Sequence, residues 1–145
     1  MKLVNQMKLT FQSRSVNEGF ARGAISAFVA TLDPTVEEIS DIKTAVSEAV
    51  TNCIVHGYRD TIGQIHVTVK IFEDQLVRIT VRDNGCGIED VEQAMQPLFT
   101  TVHTGERSGL GFTVMESFMD KVKVRSVPGK GTTVTLDKRI AARED

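Results

Sequence analysis

QIHVTVKIFEDQLVRITVRDNGCG, residues 64–87, is the stretch that decides the fold. Residues 64–72 alternate strictly between apolar and polar, and 75–82 do the same, the pattern of strands with one buried face. Glu73-Asp74 between them reads as a hairpin turn, which makes the two strands antiparallel neighbours. DNGCG then closes the second strand in turn-forming residues. Outward from this hairpin, residues 8–13 (KLTFQS) alternate as another strand. Residues 122–127 and 132–138 form a second hairpin around PGKG.

Two helices separate the first strand from residue 64. Ser15-Val16-Asn17-Glu18 matches a capping box, with the hydroxyl serving the Glu18 N–H and the carboxylate reaching back. The helix it predicts runs to about Thr31, with Phe20, Ala24, Phe28 and Leu32 along one side. Gly23, Ser26 and Ala30 are small, and Arg22 stands near them. Close packing within the fold and a flat docking surface for another chain are equal alternatives there. Thr35-Val36-Glu37-Glu38 is a second capping box. Its helix runs to about His56, stops at Gly57, and carries Ile39, Ile42, Val46, Ala49, Val50 and Cys53 as an apolar stripe. Residues 89–108 hold one short helix, near 90–95, inside a long irregular connection, a length that in a compact domain is usually functional. Another helix follows Gly109 to about Lys121, and the charged tail 139–145 is expected to fray. The order β-α-α-β-β-(loop, α)-β-β predicts a single α+β domain, 1–145. Its architecture is a two-layer α/β sandwich: a mixed, mostly antiparallel sheet with helices on one face. It excludes the alternating chain of a doubly wound nucleotide fold.

Bulk properties narrow the function. The chain has 145 residues, 41% of them hydrophobic, and a formal net charge of −2. That argues against a general nucleic-acid binder, which needs a basic surface to neutralise phosphates. No apolar run spans a bilayer and no signal peptide is present, so the expected location is cytoplasmic, without membrane contact. Cys53 and Cys86 lie far apart with no metal-binding spacing, and both read as reduced thiols.

Four stretches carry candidate chemistry. Glu48 and Asn52 are four residues apart and share a helix face opposite the apolar stripe. A solvated face would hold more charge, yet residues 44–58 contain no Lys, Arg or Asp. The pair therefore reads as the wall of a cavity. Asp83, at a strand end beside Gly85 and Gly87, can accept a hydrogen bond from an exocyclic amine such as adenine N6; guanine presents an acceptor there and is repelled. Gly105 to Gly111 (GERSGLG) precedes a helix, where free N–H groups favour an anion and Arg107 supplies a forked cation. No lysine follows those glycines, which excludes the Walker type. In GKGTT, 129–133, a hairpin turn accounts for Lys130, while Thr132 can place a hydroxyl near a bound base.

Each stretch is weak alone, but their order resembles the GHKL ATPase/kinase superfamily from about residue 8 to 138. EAVTN, 48–52, resembles its N box; DNGCG, RSGLGF (107–112) and GKGTT resemble its three glycine boxes. QPLFTT, 96–101, is similar to the segment before its mobile lid. FARGAISAFVATLDP, EAVTN with its HGY ending, and QPLFTT followed by RSGLGF place the chain nearest the bacterial anti-sigma factor serine kinases. That resemblance implies ATP and ADP binding with Mg²⁺ on Asn52, and Glu48 as proton acceptor with Arg107 as phosphate clamp. It further implies nucleotide contacts from Asp83, Gly85, Gly87, Thr100, Thr101, Ser108, Gly109, Leu110, Gly111 and Thr132, under a lid at 89–108. The partners it implies are a sporulation sigma factor of the sigma-F type, held inactive, and a STAS-domain anti-anti-sigma factor phosphorylated on serine by a homodimer. Arg22 is the docking candidate. Two departures stand out: Arg107 and Ser108 replace glycines common in histidine kinases, and Val102 follows Thr101 where a Lys is frequent. A histidine-kinase catalytic domain and a pure ATPase of the superfamily are rivals, expected to fail for want of a phosphoacceptor hairpin before residue 8 and of a transducer domain after 145; a non-enzymatic binding module is the third, since anti-sigma action is itself binding.

Overall fold

In the computed structural model, which describes residues 1–96 and 110–141, a five-stranded sheet packs against helices. The strands are β1 (Leu3–Gln12), β2 (Gln64–Phe72), β3 (Leu76–Asp83), β4 (Lys121–Val127) and β5 (Gly131–Arg139), in the order β1-β2-β3-β5-β4. All four pairings among the described residues are antiparallel, so the expected mostly antiparallel sheet is antiparallel throughout. The helices are α1 (Asn17–Val29), α2 (Val36–Asn52), α3 (Val91–Ala94) and α4 (Phe112–Phe118).

Alternation places the core on one sheet face. Ile65, Val67, Val69 and Ile71 of β2, Val77, Ile79 and Val81 of β3, and Val134 and Leu136 of β5 are buried, and the residues between them are not. Each such side chain contributes about 1.5–3 kcal/mol on leaving water. α2 covers this face with Ile42, Ala45, Val46, Ala49 and Val50, all buried. Its N-terminus carries the predicted capping box: Glu38 N donates to Thr35 Oγ1 at 3.0 Å, and Thr35 N donates to Glu38 Oε1 at 2.8 Å. The other carboxylate oxygen of Glu38 accepts from Ala141 N at 2.9 Å.

Several expectations are corrected. β1 begins at Leu3, five residues before the predicted start, because pairing with β2 continues past a register shift between Leu3 and Asn5. The Ser15 capping box does not form. Val16 precedes α1 in helical conformation with no side-chain cap, and the Glu18 carboxylate turns instead to Arg22, at 3.3 Å, and to the Ser47 hydroxyl. The buried side of α1 is Ala21, Ile25 and Val29, one position on from the predicted stripe; Phe20 is exposed. Fraying does not start at residue 139: Arg139 ends β5, Ile140 is buried and Ala141 is held by Glu38. α4 stops at Phe118, so β4 already begins at Lys121.

Candidate nucleotide site

α2 does not run to His56 as a regular helix. It ends at Asn52 and widens into one π turn, Cys53–Gly57, closed by Tyr58 N donating to Cys53 O at 2.9 Å. Such π turns are frequent at functional sites. The cause here is packing against the loop after β3. Cys86 N donates to Gly57 O at 3.0 Å, and the Cys86 thiol to His56 O at 3.1 Å. Asn84 N donates to the Tyr58 hydroxyl at 2.7 Å, which in turn donates to Gln64 O at 2.6 Å. The end of α2 and DNGCG are thus one hydrogen-bonded unit.

Its glycines approach protein backbone. A Cβ on Gly85 would lie 2.9 Å from Gly57 Cα and closer still to the Gly57 carbonyl. Gly87 has φ +76°, and a Cβ there would lie 3.0 Å from Pro128 Cα and within overlap of Val127 O. The expected close approach of these glycines is therefore accounted for by the chain itself. Gly85→Ala is expected to destabilise the fold by about 1–3 kcal/mol through overpacking, read as a lower midpoint in urea unfolding; an unchanged midpoint would show that the two loops separate freely.

Asp83 is buried where β3 meets this unit. Its Oδ1 accepts from Gly85 N at 2.9 Å, and the carboxylate also accepts from Thr132 N and from the Cys53 thiol. A Cβ on Gly57 would lie 2.9 Å from Asp83 Oδ2, so the glycine at the end of the π turn makes room for the acid. Burial holds the Asp83 carboxyl above its ordinary value despite those three donors. Burial, and then the charge of Asp83, pushes the Cys53 thiol well up, which keeps it a proton donor to the acid.

A narrow cleft of about 20 Å³, roughly one water, runs beside Asp83 between Asn52, Cys53, His56, Thr132 and Leu110. It adjoins a wider groove of about 420 Å³ lined by His56, Arg59, Gly87, Ile88, Asp90 and Leu110. Leu110 belongs to both, and the Asn52 side-chain amide donates to its carbonyl. Asn52 Oδ1 is buried, with no hydrogen-bond partner among the described residues. A buried amide oxygen left over in this way suits a hard cation that takes only one or two protein oxygens, as Mg²⁺ does. No cluster of three or more His, Cys, Asp or Glu that could hold a metal is found among the described residues.

Glu48 is half-buried one turn before Asn52. Gly111 lies against it: a Cβ there would fall 2.9 Å from Glu48 Cδ, and its φ is +72°. Both reasons require glycine at this position. The structure brings Asn52, Asp83, Gly87, Leu110 and Thr132 to the cleft and its adjoining groove; Glu48 and Gly111 lie against each other and Gly85 against Gly57, and none of these three lines either. Thr132 is the register partner of Asp83, its hydroxyl 2.8 Å from Ser126 Oγ. Arg107, Thr100, Thr101, Ser108 and Gly109 lie outside the described residues. Arg22 stands apart, on exposed α1. Sequence reasoning missed Gly57, Cys53 and Tyr58 as parts of the site. The HGY ending is the available signal, and it is read as a helix stop and as part of the family resemblance, not as part of the site.

An acid at a strand end, a leftover amide oxygen on the covering helix and a glycine-turned helix start together define a histidine kinase-like ATPase domain, and the family model of that description matches residues 11–138. Solved structures agree on the fold. The RsbU and RsbW domains of a Mycobacterium tuberculosis protein superpose with a TM-score of 0.70 at 23% identity, over 98% of this chain and 35% of that one. The catalytic domain of histidine kinase ThkA gives 0.58 at 16%, over 94% and 97%. Curated relatives go further. The anti-sigma F factor of Thermoanaerobacter pseudethanolicus is 58% identical over 98% of this chain and 99% of its own length. Those of Geobacillus kaustophilus, 59% over 94% of each chain, and Clostridium acetobutylicum, 52% over 99% of each, are similar. The chain belongs to the anti-sigma F factor family of histidine kinase-like ATPase domains.

Proposed function

We propose that this protein binds a sporulation sigma factor of the sigma-F type and holds it inactive, and that it uses Mg²⁺ and ATP to phosphorylate a serine of a STAS-domain anti-anti-sigma factor. The observation that carries this reading is the near end-to-end identity of 52–59% with anti-sigma F factors. Within it the residues divide the work. Asp83 accepts a hydrogen bond from adenine N6, with Thr132 beside it. Gly85 and Gly87 shape the adenine side of the cleft, and Leu110 and Gly111 the phosphate side. Asn52 Oδ1 is the protein's ligand to magnesium, which neutralises phosphate charge when bound. Glu48 takes the proton of the attacking serine hydroxyl or orients it. Arg107 stabilises the transferring phosphoryl group, with Thr100, Thr101, Ser108 and Gly109 at the phosphates. The cleft is closed in this structure, with Asn52 holding Leu110, so nucleotide entry requires Leu110 to release the Asn52 amide. The 89–108 connection then acts as the lid that reports ATP against ADP to the partners.

The same reading makes the protein a cytoplasmic homodimer, a single domain over 1–145. No helix among the described residues is long and apolar enough to cross a membrane, and none of the proposed steps needs one. The docking alternative for α1 is supported by exposure: a Cβ on Gly23 meets nothing within 4 Å, Phe20 is 57% exposed, and Ala27 and Ala30 are exposed beside it. Arg22 lies at the edge of this stripe, paired with Glu18 at 3.3 Å. Arg22→Glu is expected to weaken capture of the sigma-F-type factor by about tenfold or more, as loss of a charged anchor at an interface does, with ATP affinity unchanged. Normal capture by that variant removes Arg22 from the interface.

A further inference from the structure

The middle of the sheet face turned away from the helices is polar, with Phe72, Leu76 and Val127 at its ends. Register aligns its residues into three rows crossing all five strands. The middle row reads Lys8, Thr68, Thr80, Thr135, Lys123. One flanking row adds the cations Lys70, Arg78 and Lys121, and the other adds Arg82 and Arg125. Gln6, Thr10, His66, Thr133 and one acid, Asp137, complete the three rows. Seven cations against one carboxylate give these three rows +6, in a chain whose formal net charge is −2, so the remainder sums to −8. Asp137 is committed: it takes both N–H arms of Arg78, at 2.8 and 3.0 Å. Among the described residues, Arg78 is the one cation of the face paired with a carboxylate.

Such segregation is costly unless used, because like charges a strand apart repel. The face is also concave at one end. A shallow basin of about 390 Å³ lies over β3, β5 and β4, lined by four cations, Arg78, Lys121, Lys123 and Arg125, three threonines, and Asp137, which Arg78 engages. The three remaining cations and the hydroxyls are donors, and they suit carboxylates. From strand spacing, the three rows cover about 19 by 13 Å. That is well below the roughly 800 Å² per partner of a stable interface, and no position is apolar. Such a surface works by electrostatic steering and transient docking.

We propose that this outer sheet face, centred on the β3-β5-β4 basin, docks an acidic surface of a protein partner, whose carboxylates seat among Lys121, Lys123 and Arg125. Nucleic acid fits less well. The rows hold no Phe, Tyr or Trp on which bases could stack, and Phe72, at the end of β2, lies under the Arg78 guanidinium, 5.2 Å from it. A second copy fits no better. Two such faces repel, and face against acidic helical layer is a head-to-tail contact that does not close.

The test is an NMR titration of the full ¹⁵N-labelled chain with a dodecapeptide of alternating Glu and Thr, its Gln-for-Glu counterpart, and a 12-nucleotide oligo-dT. The Glu peptide is expected to shift outer-face amides of β3, β4 and β5, with affinity falling about fivefold or more from 50 to 200 mM salt. The pair Lys123→Glu, Arg125→Glu is expected to weaken binding about tenfold or more, with the unfolding midpoint and nucleotide affinity unchanged. Lys123→Ala, Arg125→Ala is the milder version should reversal impair folding. Shifts centred elsewhere, equal binding of the Gln peptide, or full binding by both variants overturn the proposal. Tighter binding of oligo-dT assigns the face to nucleic acid instead, and concentration-dependent sedimentation abolished by the same variants assigns it to a second copy.

Discussion

Replacing Glu48 with Gln is expected to slow phosphoryl transfer about 10²–10⁴-fold, the range for losing a positioned general base, while ATP affinity stays close to that of the unaltered chain. Two features make this variant clean. The carboxylate is packed against Gly111, whose φ of +72° and close approach leave no space for another shape, and glutamine keeps the shape. The magnesium candidate is a different atom one turn on, Asn52 Oδ1, so nucleotide binding and proton acceptance are separable. Single-turnover transfer rates and equilibrium nucleotide titration read the two separately. Transfer at the normal rate would remove the base role from Glu48. Loss of binding together with transfer would make it a ligand instead.

Asp83→Asn is expected to weaken ATP binding about 10²-fold or more, the penalty for leaving a buried donor or acceptor unpaired in a site built around it. The acid already faces Gly85 N–H, Thr132 N–H and the Cys53 thiol on the protein side, and in the proposed complex adenine N6 is a further donor to it. An amide offers one acceptor and one N–H₂, so one donor meets another whichever way it is turned. The wild-type acid also predicts a pH dependence. Burial raises its folded-state value, so the charged acceptor is lost as pH falls through a point above the ordinary carboxylate value. ATP affinity should decline there, earlier than an exposed aspartate would allow. The stability sign is opposite to that of a salt-bridged acid. The contribution of Asp83 is fully present below its unfolded value and is lost as pH rises through the raised folded value. Isothermal titration of ATP and GTP across pH 4–8 checks the binding statement and urea unfolding over the same range the stability sign; selectivity for ATP that survives the substitution would remove Asp83 from base recognition.

How much of this was legible in the residues depended on the range of the forces involved. The 64–87 hairpin, the second hairpin and the Thr35 capping box are local patterns, and each formed as read. The Ser15 box carries the same local signature and failed, because Glu18 found Ser47 and Arg22, one of them 29 positions away. The extra length of β1 was hidden because residues 3–7 lack clean alternation at a sheet edge with a register shift. Within the site, the i and i+4 spacing put Glu48 and Asn52 on one side of α2, where Asn52 is buried and lines the cleft while Glu48 is half-buried and does not. The π turn could not be read, since it is set by Gly57 fitting Gly85 and Asp83, partners more than twenty residues on. The glycines of DNGCG were expected beside a ligand, and their immediate neighbours proved to be the chain's own backbone.

The central claim is serine phosphorylation of a protein partner, and transfer of label tests it most directly. Incubated with γ-labelled ATP, Mg²⁺ and a STAS-domain anti-anti-sigma factor, the chain should place phosphate on a serine of that partner and none on itself. Stable label on a histidine of this chain, or free phosphate with an unlabelled partner, would contradict the account.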